Sequence, residues 1–154
     1  MNRALIIYGI FFTVASQLIA QSGTTVSRQT AKNGEEVFFV INKIKFDKKQ
    51  EFDKILFGEV MPAFTEYRDK DDEKHELNKK SLKTMRLLRP TQINDDSTWT
   101  FLFIADPYIE GATYNIVPPL LQKYGEDGAQ AVFDRWNDCF AAGQEVYLSK
   151  QSDW

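Results

Sequence analysis

Hydrophobic and polar residues first form a clear pattern at Val37–Phe46, which reads VFFVINKIKF. Its even-numbered side chains would share one face of a strand and its odd-numbered side chains the other, because successive strand residues point to opposite sides of a sheet. Apolar residues occur on both faces. A sheet with helices on one side usually has a polar open face, so we predict that a second copy of the chain covers the other side.

After this strand the spacing changes to that of a helix. Asp47 followed by Gln50 predicts a capped helix start, and apolar residues then recur at helical intervals. Pro62 lies inside this pattern and should kink or interrupt the helix near Val60. Residues 68–83, RDKDDEKHELNKKSLK, are dense in both charges. They should form either a solvated helical extension or a mobile loop.

The rest of the chain predicts two strands, a second helix and a last strand. The first three features are a strand, a turn and a strand, at Thr84–Leu88, Asn94–Ser97 and Trp99–Ala105. After an irregular connection, Asp106–Pro119, a helix should break near residues 125–128 and end at Gly143. A short strand, Glu145–Ser149, follows. This order predicts a ferredoxin-like split βαβ fold of class α+β, a four-stranded antiparallel sheet with two main helices on one face.

The first twenty residues, MNRALIIYGIFFTVASQLIA, have the order of a secretory signal peptide. A basic residue, Arg3, precedes an apolar stretch, and the small Ala20 precedes a polar segment. Ser16 and Gln17 interrupt the apolar stretch, which disfavours a membrane anchor. We therefore expect residues 1–20 to be removed on export, residues 21–34 to form a flexible lead and residues 35–150 to fold as one domain. The mature protein would be periplasmic or secreted, without a membrane anchor.

The composition limits the partners and metal sites that we expect. The chain has 154 residues, a net charge of −3, one His and one Cys. No basic stripe for nucleic acid stands out, and a zinc site built from His and Cys ligands is not expected. Cys139 is followed by Phe140 and Ala141, which predicts a buried thiol. Since the sequence has no phosphate-binding loop or metal-ligand motif, we predict neither a cofactor nor a metal.

The strand-to-helix run VINKIKFDKKQEFDKIL and the order of the elements resemble the dimeric α+β barrel superfamily, which includes the antibiotic-biosynthesis-monooxygenase-like proteins. The resemblance covers about Val37–Ser149. It implies a homodimer in which the two sheets pack together, and a cavity for a small ligand between sheet and helices. Activities of that superfamily include cofactor-independent oxygenation of aromatic substrates and degradation of haem.

Asn42 in the first strand resembles the strand Asn of the haem-degrading members. Those members also have a Trp at the end of the third strand and a haem-ligating His on the second helix. Here the third strand ends in Ala105 and Asp106, and the single His75 lies between the first helix and the second strand. The resemblance therefore does not imply haem degradation for this chain.

Polar residues near the expected cavity are the candidate ligand-binding residues: Asn42, Arg86, Arg89, Asp106, Tyr108 and Tyr114. A buried Asn must find hydrogen-bond partners, either in a ligand or in the protein. An Arg near a pocket could bind a carboxylate or phenolate ligand, or form an ion pair across strands or in a dimer interface. The two Tyr hydroxyls could orient a phenolic substrate with the carboxylate, or all three residues could pack in a surface loop.

The sequence leaves three functions open, and it identifies no catalytic residue. The first is a homodimeric domain that binds a small aromatic or apolar ligand without catalysis. The second is a cofactor-independent oxygenase acting on a small aromatic substrate. The third is a structural or interaction protein without a small ligand. A cavity near Asn42 would favour the first two over the third.

Overall fold

A computed structural model describes residues 29–153, and the predicted signal peptide lies outside this range. The strands are β1 (Glu36–Lys45), β2 (Met85–Leu88), β3 (Thr98–Ala105) and β4 (Glu145–Lys150). The helices are α1 (Lys49–Ile55), α2 (Met61–Glu66), α3 (Asp72–Thr84) and α4 (Val117–Asp138). The strands form one antiparallel sheet in the order β2-β3-β1-β4. The ferredoxin-like α+β fold is thereby confirmed.

The strand register assigns the side chains to two faces. Asn42 lies opposite Phe101 on the face toward the helices, which we call the helix face, and Ile41 lies opposite Leu102 on the other side. We call that other side the open face, and its side chains include those of Phe39, Ile41, Arg86, Leu88, Leu102, Ile104 and Tyr147. The predicted division of β1 into two faces is confirmed.

The core lies between the helix face and the helices α1, α2 and α4. The ring of Phe52 in α1 is fully buried, and its centroid lies 4.7 Å from that of Phe101 and 4.5 Å from that of Trp136. The apolar stripe predicted for the first helical region lies in this layer. Six of its members are buried, Phe52, Ile55, Leu56, Val60, Ala63 and Phe64, and its last member, Tyr67, is only partly buried. Full burial of such a side chain stabilises the fold by about 1.5–3 kcal/mol, so these contacts hold α1 and α4 on the sheet.

Two helical regions are interrupted where the sequence predicts it. A π-helical turn, Leu56–Val60, separates α1 from α2, and Pro62 occupies the first turn of α2, where the missing N–H costs no helical hydrogen bond. Gly125 breaks α4 with φ 70° and ψ −177°. Glycine adopts that backbone conformation at little cost, because it has no Cβ.

Three local predictions are wrong. The first helical region begins with a 3-10 turn at Phe46, and within the described chain no side chain caps this turn or α1, so Asp47 is not an N-cap. The helix α4 ends at Asp138, well before Gly143. It ends there because the next residues pair with β1, where Lys45 N donates to Cys139 O at 2.9 Å. Finally, helical spacing predicts Ala131 on the apolar face of the second helix, but Ala131 is exposed.

The charged segment before β2 forms the helix α3, which decides between the two predicted alternatives. Asp71 caps it, because its side chain accepts a hydrogen bond from Lys74 N at 3.0 Å. The buried residues of α3 are polar, and one of them is Asn78. Its Oδ1 accepts from Thr113 N at 2.7 Å, so α3 holds the connection that leads to α4.

Residues 31–34, which belong to the predicted lead, are hydrogen-bonded to the domain. Ala31 N donates to Asp106 Oδ1 at 2.5 Å, and Gly34 N donates to Gln151 O at 2.8 Å. These bonds join the start of the described chain to the residues that directly follow β3 and β4. None of the helices between residues 29 and 153 has the length and apolar character needed to span a membrane.

Candidate functional site

A cavity of about 500 Å³ lies between the helix face of the sheet and the helices. Most of its wall is apolar, with side chains from the sheet and the helices that include Val40, Phe103, Phe64, Phe133 and Trp136. Pockets for small molecules commonly have volumes of about 300–1,000 Å³ and mainly apolar walls. The space therefore suits a small organic ligand.

The break in α4 explains how one helix contributes both of its ends to this wall. Val117 lines the cavity before the break, and Trp136 lines it after the break. In a straight helix these residues would lie about 28 Å apart, at about 1.5 Å per residue. Because Gly125 leaves helical geometry, the two parts of α4 turn toward the same space.

Polar side chains enter the wall mainly at its opening. Asn115, Asn137 and Gln144 line the cavity and are exposed to solvent, and we call these three residues the carboxamide rim. Val146 beside them is 55% exposed. The opening therefore lies between the connection ahead of α4, the end of α4 and the start of β4. Among the lining residues in the described part of the chain, none has an acidic or basic side chain apart from the weakly acidic phenol of Tyr114.

Asn42 is fully buried beside the wall and contacts the rim through one hydrogen bond. Gln144 Nε2 donates to Asn42 Oδ1 at 2.5 Å. The Nδ2 group of Asn42 is buried without a hydrogen-bond partner within residues 29–153, a situation that costs about 1–3 kcal/mol. The hydrogen bond to Asn42 Oδ1 therefore fixes the side chain of Gln144 at the opening of the cavity.

Tyr114 lies in the wall, and Tyr108 packs against it. Their rings stack with centroids 5.2 Å apart, and the ring of Phe38 also lies 5.2 Å from that of Tyr114. The hydroxyl oxygen of Tyr114 accepts from Ile109 N at 2.9 Å. Burial raises the pKa of Tyr114 above its ordinary value. The phenol is therefore neutral at physiological pH and adds an aromatic surface to the wall.

The remaining candidates form ion pairs and do not line the cavity. Arg86 pairs with Asp106, which also accepts the hydrogen bond from Ala31. Arg89 Nη2 lies 2.8 Å from Asp53 Oδ2. The sequence allows these arginines either to bind a ligand or to form ion pairs. In the described structure, both form ion pairs with carboxylates of the same chain. Their charges are neutralised by protein carboxylates.

The carboxamide rim is absent from the sequence-based candidates. Asn115, Asn137 and Gln144 come from three separate segments, and each is a common surface residue with no distinctive spacing. Helical spacing predicts Phe133 and Trp136 in the core between the second helix and the sheet. Both line the cavity, and Trp136 is also buried in the core.

Reactive side chains outside the cavity have structural roles. Cys139 is buried as predicted, its thiol donates to Arg135 O at 3.2 Å, and burial raises its pKa to about 11. At neutral pH it is therefore a thiol, which is a poor nucleophile. His75 lies in α3 and does not line the cavity. Between residues 29 and 153, no three His, Cys, Asp or Glu side chains are grouped so as to hold a metal ion.

Comparison with known proteins gives likeness in structure only. No family model matches the sequence, and no curated protein matches it. Two putative antibiotic biosynthesis monooxygenases are similar, from Caulobacter crescentus (11% identity, TM-score 0.38) and Nitrosomonas europaea (12%, 0.40). A conserved protein from Methanosarcina mazei is also similar (15%, 0.36). These matches cover 79%, 78% and 77% of this chain and 92%, 92% and 94% of theirs.

Proposed function

We propose that this chain is an exported, homodimeric domain that binds a small apolar ligand between its sheet and its helices, without catalysing a reaction. The observation that carries the proposal is the cavity of about 500 Å³ with an apolar and aromatic wall. Burial of apolar surface supplies about 25 cal/mol per Å², so a ligand of matching shape needs few polar contacts to bind. Tyr114 and Trp136 favour an aromatic ligand, because aromatic pairs add to the energy of burial.

The wall lacks an effective general base, which is the argument against catalysis. A general base works best with a pKa near the operating pH. Tyr114 is the only titratable side chain of the wall in residues 29–153, and its pKa is raised. A cofactor-independent oxygenase acting on a small aromatic substrate is the second candidate, since Tyr114 and the carboxamide rim could orient a phenol.

Homodimer formation through the open face belongs to the same proposal. Leu88 and Tyr147 on this face are each 50% exposed, and Ile41 and Leu102 between them are only partly buried. A sheet with two apolar faces is stable in water when a further layer covers each of them. A second copy of the same face provides such a layer with matching shape and composition.

Binding is tested with 1-aminoanthracene, a fluorescent apolar probe. We expect a saturable rise in its emission with one site per chain. Ala105 is buried in the wall, so Ala105→Leu should reduce the volume of the cavity and weaken binding at least about tenfold (about 1.4 kcal/mol). Ala131→Leu makes the same change at an exposed position of α4 and should leave binding unchanged. Failure of the unaltered protein to bind the probe would contradict the proposal.

Oxygen uptake separates binding from oxygenation. Phenols and quinols such as 1-naphthol and 1,4-naphthohydroquinone should give no uptake above that of the Ala105→Leu variant. If the unaltered protein consumes oxygen and Ala105→Leu does not, the proposal of binding without catalysis is wrong and the oxygenase takes its place.

Export is tested at the N-terminus of the mature protein. The exported fraction should begin near Gln21, as the predicted cleavage after Ala20 requires. Recovery of the protein from that fraction with residues 1–20 still attached would contradict the expected cleavage.

A further inference from the structure

The carboxamide rim has specific hydrogen-bonding capacity left for a ligand. Gln144 uses its Nε2 group on Asn42, which leaves its Oε1 as an acceptor. Asn115 uses its Oδ1 to accept from Val117 N at 2.9 Å, which leaves its Nδ2 as a donor. A carboxamide offers both a donor and an acceptor. The opening therefore presents at least one free donor and one free acceptor.

The charged residues of α4 near the opening are already paired, and Glu145, which follows Gln144, accepts a hydrogen bond from the Tyr147 hydroxyl at 2.8 Å. Arg135, next to Trp136 in the chain, binds both carboxylate oxygens of Glu59 at 2.9 and 2.6 Å. Asp138, which follows the rim residue Asn137, lies 2.6 Å from Lys48 Nζ. Neither pair has a charge left to neutralise a ligand. A carboxylate taken out of water without a cationic partner is strongly disfavoured.

We propose that the ligand is an uncharged amphiphile whose apolar part fills the cavity and whose hydroxyl group binds the carboxamide rim, and that the site discriminates against carboxylates. A hydroxyl both donates and accepts, so it can bind at either the acceptor of Gln144 or the donor of Asn115. This inference rests on the proposed ligand binding and adds the chemical class of the ligand. The rim residues would then determine specificity, while the apolar wall supplies affinity.

Three probes with one ring system test this proposal: 2-naphthalenemethanol, 2-methylnaphthalene and 2-naphthoate. Each is titrated against bound 1-aminoanthracene at pH 7. The alcohol should displace the dye most effectively, and the carboxylate should bind at least about tenfold more weakly than the alcohol. The methyl compound should bind between the two, because it fills the wall without satisfying the rim.

A charge placed at the rim tests the same proposal from the protein side. Asn137→Lys adds an ammonium group to the opening and should improve the affinity for 2-naphthoate at least about tenfold, with an unchanged thermal unfolding midpoint. Gln130→Lys adds the same charge on α4 at an exposed position outside the wall and should have no such effect.

The possible failures are distinguishable. If the alcohol and the methyl compound bind but 2-naphthoate binds equally well, the inferred specificity is overturned and ligand binding stands. The same holds if the alcohol binds no better than the methyl compound, or if Asn137→Lys and Gln130→Lys act alike. If none of the three probes displaces the dye, and the dye itself does not bind, both proposals fall.

Discussion

The two faces of the sheet differ although the same strands form them. On the helix face, Ile44 and Phe101 are fully buried within one chain, whereas on the open face Leu88 is 50% exposed and Ile41 is only partly buried. The edge strand β4 is exposed on both faces. Both faces of β1 and β3 carry apolar side chains. Hydrophobic alternation therefore predicts that a face needs a cover and does not say what covers it. The function of the helix face can be argued from one chain, and that of the open face requires an assembly.

The largest expected effect is the loss of stability when a residue of the helix face is truncated. Phe101→Ala removes a fully buried ring that lies 4.7 Å from Phe52 and should lower the free energy of unfolding by about 3–5 kcal/mol. Leu88→Ala, at a half-exposed position of the open face, should cost about 1 kcal/mol or less. Both changes are made in a background that carries Ile41→Lys, a charge in the centre of the open face that should keep the protein monomeric. Neither Phe101 nor Leu88 pairs with Ile41 in the sheet, and urea denaturation measures both costs. Equal costs would contradict the difference between the faces.

Sequence periodicity predicted the elements whose signals are local. The alternation in β1 and the apolar stripe through Phe52 follow directly from strand and helix geometry. Local signals failed where distant contacts decide the structure. Asp47 has the residue type of a cap, and Gly143 that of a helix stop, but the helix boundaries follow from pairing of Cys139 and its neighbours with β1.

The site was predictable only where a residue conflicts with its surroundings. Asn42 stands out as an amide on an apolar strand face, and the structure places it next to the cavity through Gln144. Arg86 stood out by residue type, but its pairing with Asp106 is a contact between different strands. The carboxamide rim could not be predicted, because its members come together only through the break in α4 and the position of β4.

The second prediction concerns the open face and should break the dimer. Ile41→Lys places a charge in the centre of the proposed interface, where association would have to take the ammonium group and its cross-strand neighbour Glu145 out of water. The dissociation constant of the dimer should rise at least about 100-fold, which corresponds to about 2.7 kcal/mol. Light scattering at micromolar concentration should give the mass of a dimer for the unaltered protein and of a monomer for the variant.

The control for this prediction is Leu121→Lys. Leu121 is also an exposed apolar residue, at 43%, but it lies on α4. This variant should stay dimeric. A monomeric mass for the unaltered protein, or a dimeric mass for Ile41→Lys, would show that the open face is not the interface.

The third prediction separates stability from binding on the helix face. Asn42→Leu removes a buried amide whose Nδ2 lacks a partner in the described chain, and it frees the exposed Gln144 to bind water. The free energy of unfolding should stay equal or rise by about 1 kcal/mol. The affinity for 2-naphthalenemethanol should nevertheless fall about tenfold, because Gln144 is no longer held at the opening.

Asn94→Leu is the control for a hydrogen-bonded amide outside the cavity. Its Nδ2 donates to the hydroxyls of Thr98 and Thr100 at 3.0 and 2.8 Å, and none of these residues lines the cavity, so the change should destabilise the protein by about 1 kcal/mol and leave probe binding intact. The positioning role of Asn42 would be wrong if Asn42→Leu left the affinity for the alcohol unchanged.

The smallest expected effect is the pH dependence that Tyr114 contributes to the helix face. Burial raises the pKa of this phenol in the folded state above its value of 10.0 in the unfolded chain. The neutral form is therefore favoured on folding, and its contribution to stability is fully present below pH 10 and is lost as the pH rises through the folded pKa. The difference in unfolding free energy between the unaltered protein and Tyr114→Phe should decrease between pH 9 and pH 11. Tyr147→Phe removes a phenol from the exposed open face, where a hydrogen bond to Glu145 at 2.8 Å raises its pKa, and it should show a smaller decrease, because solvent screens that interaction. An equal decrease for both variants would mean that burial in the wall contributes no more to the pH dependence than this exposed hydrogen bond.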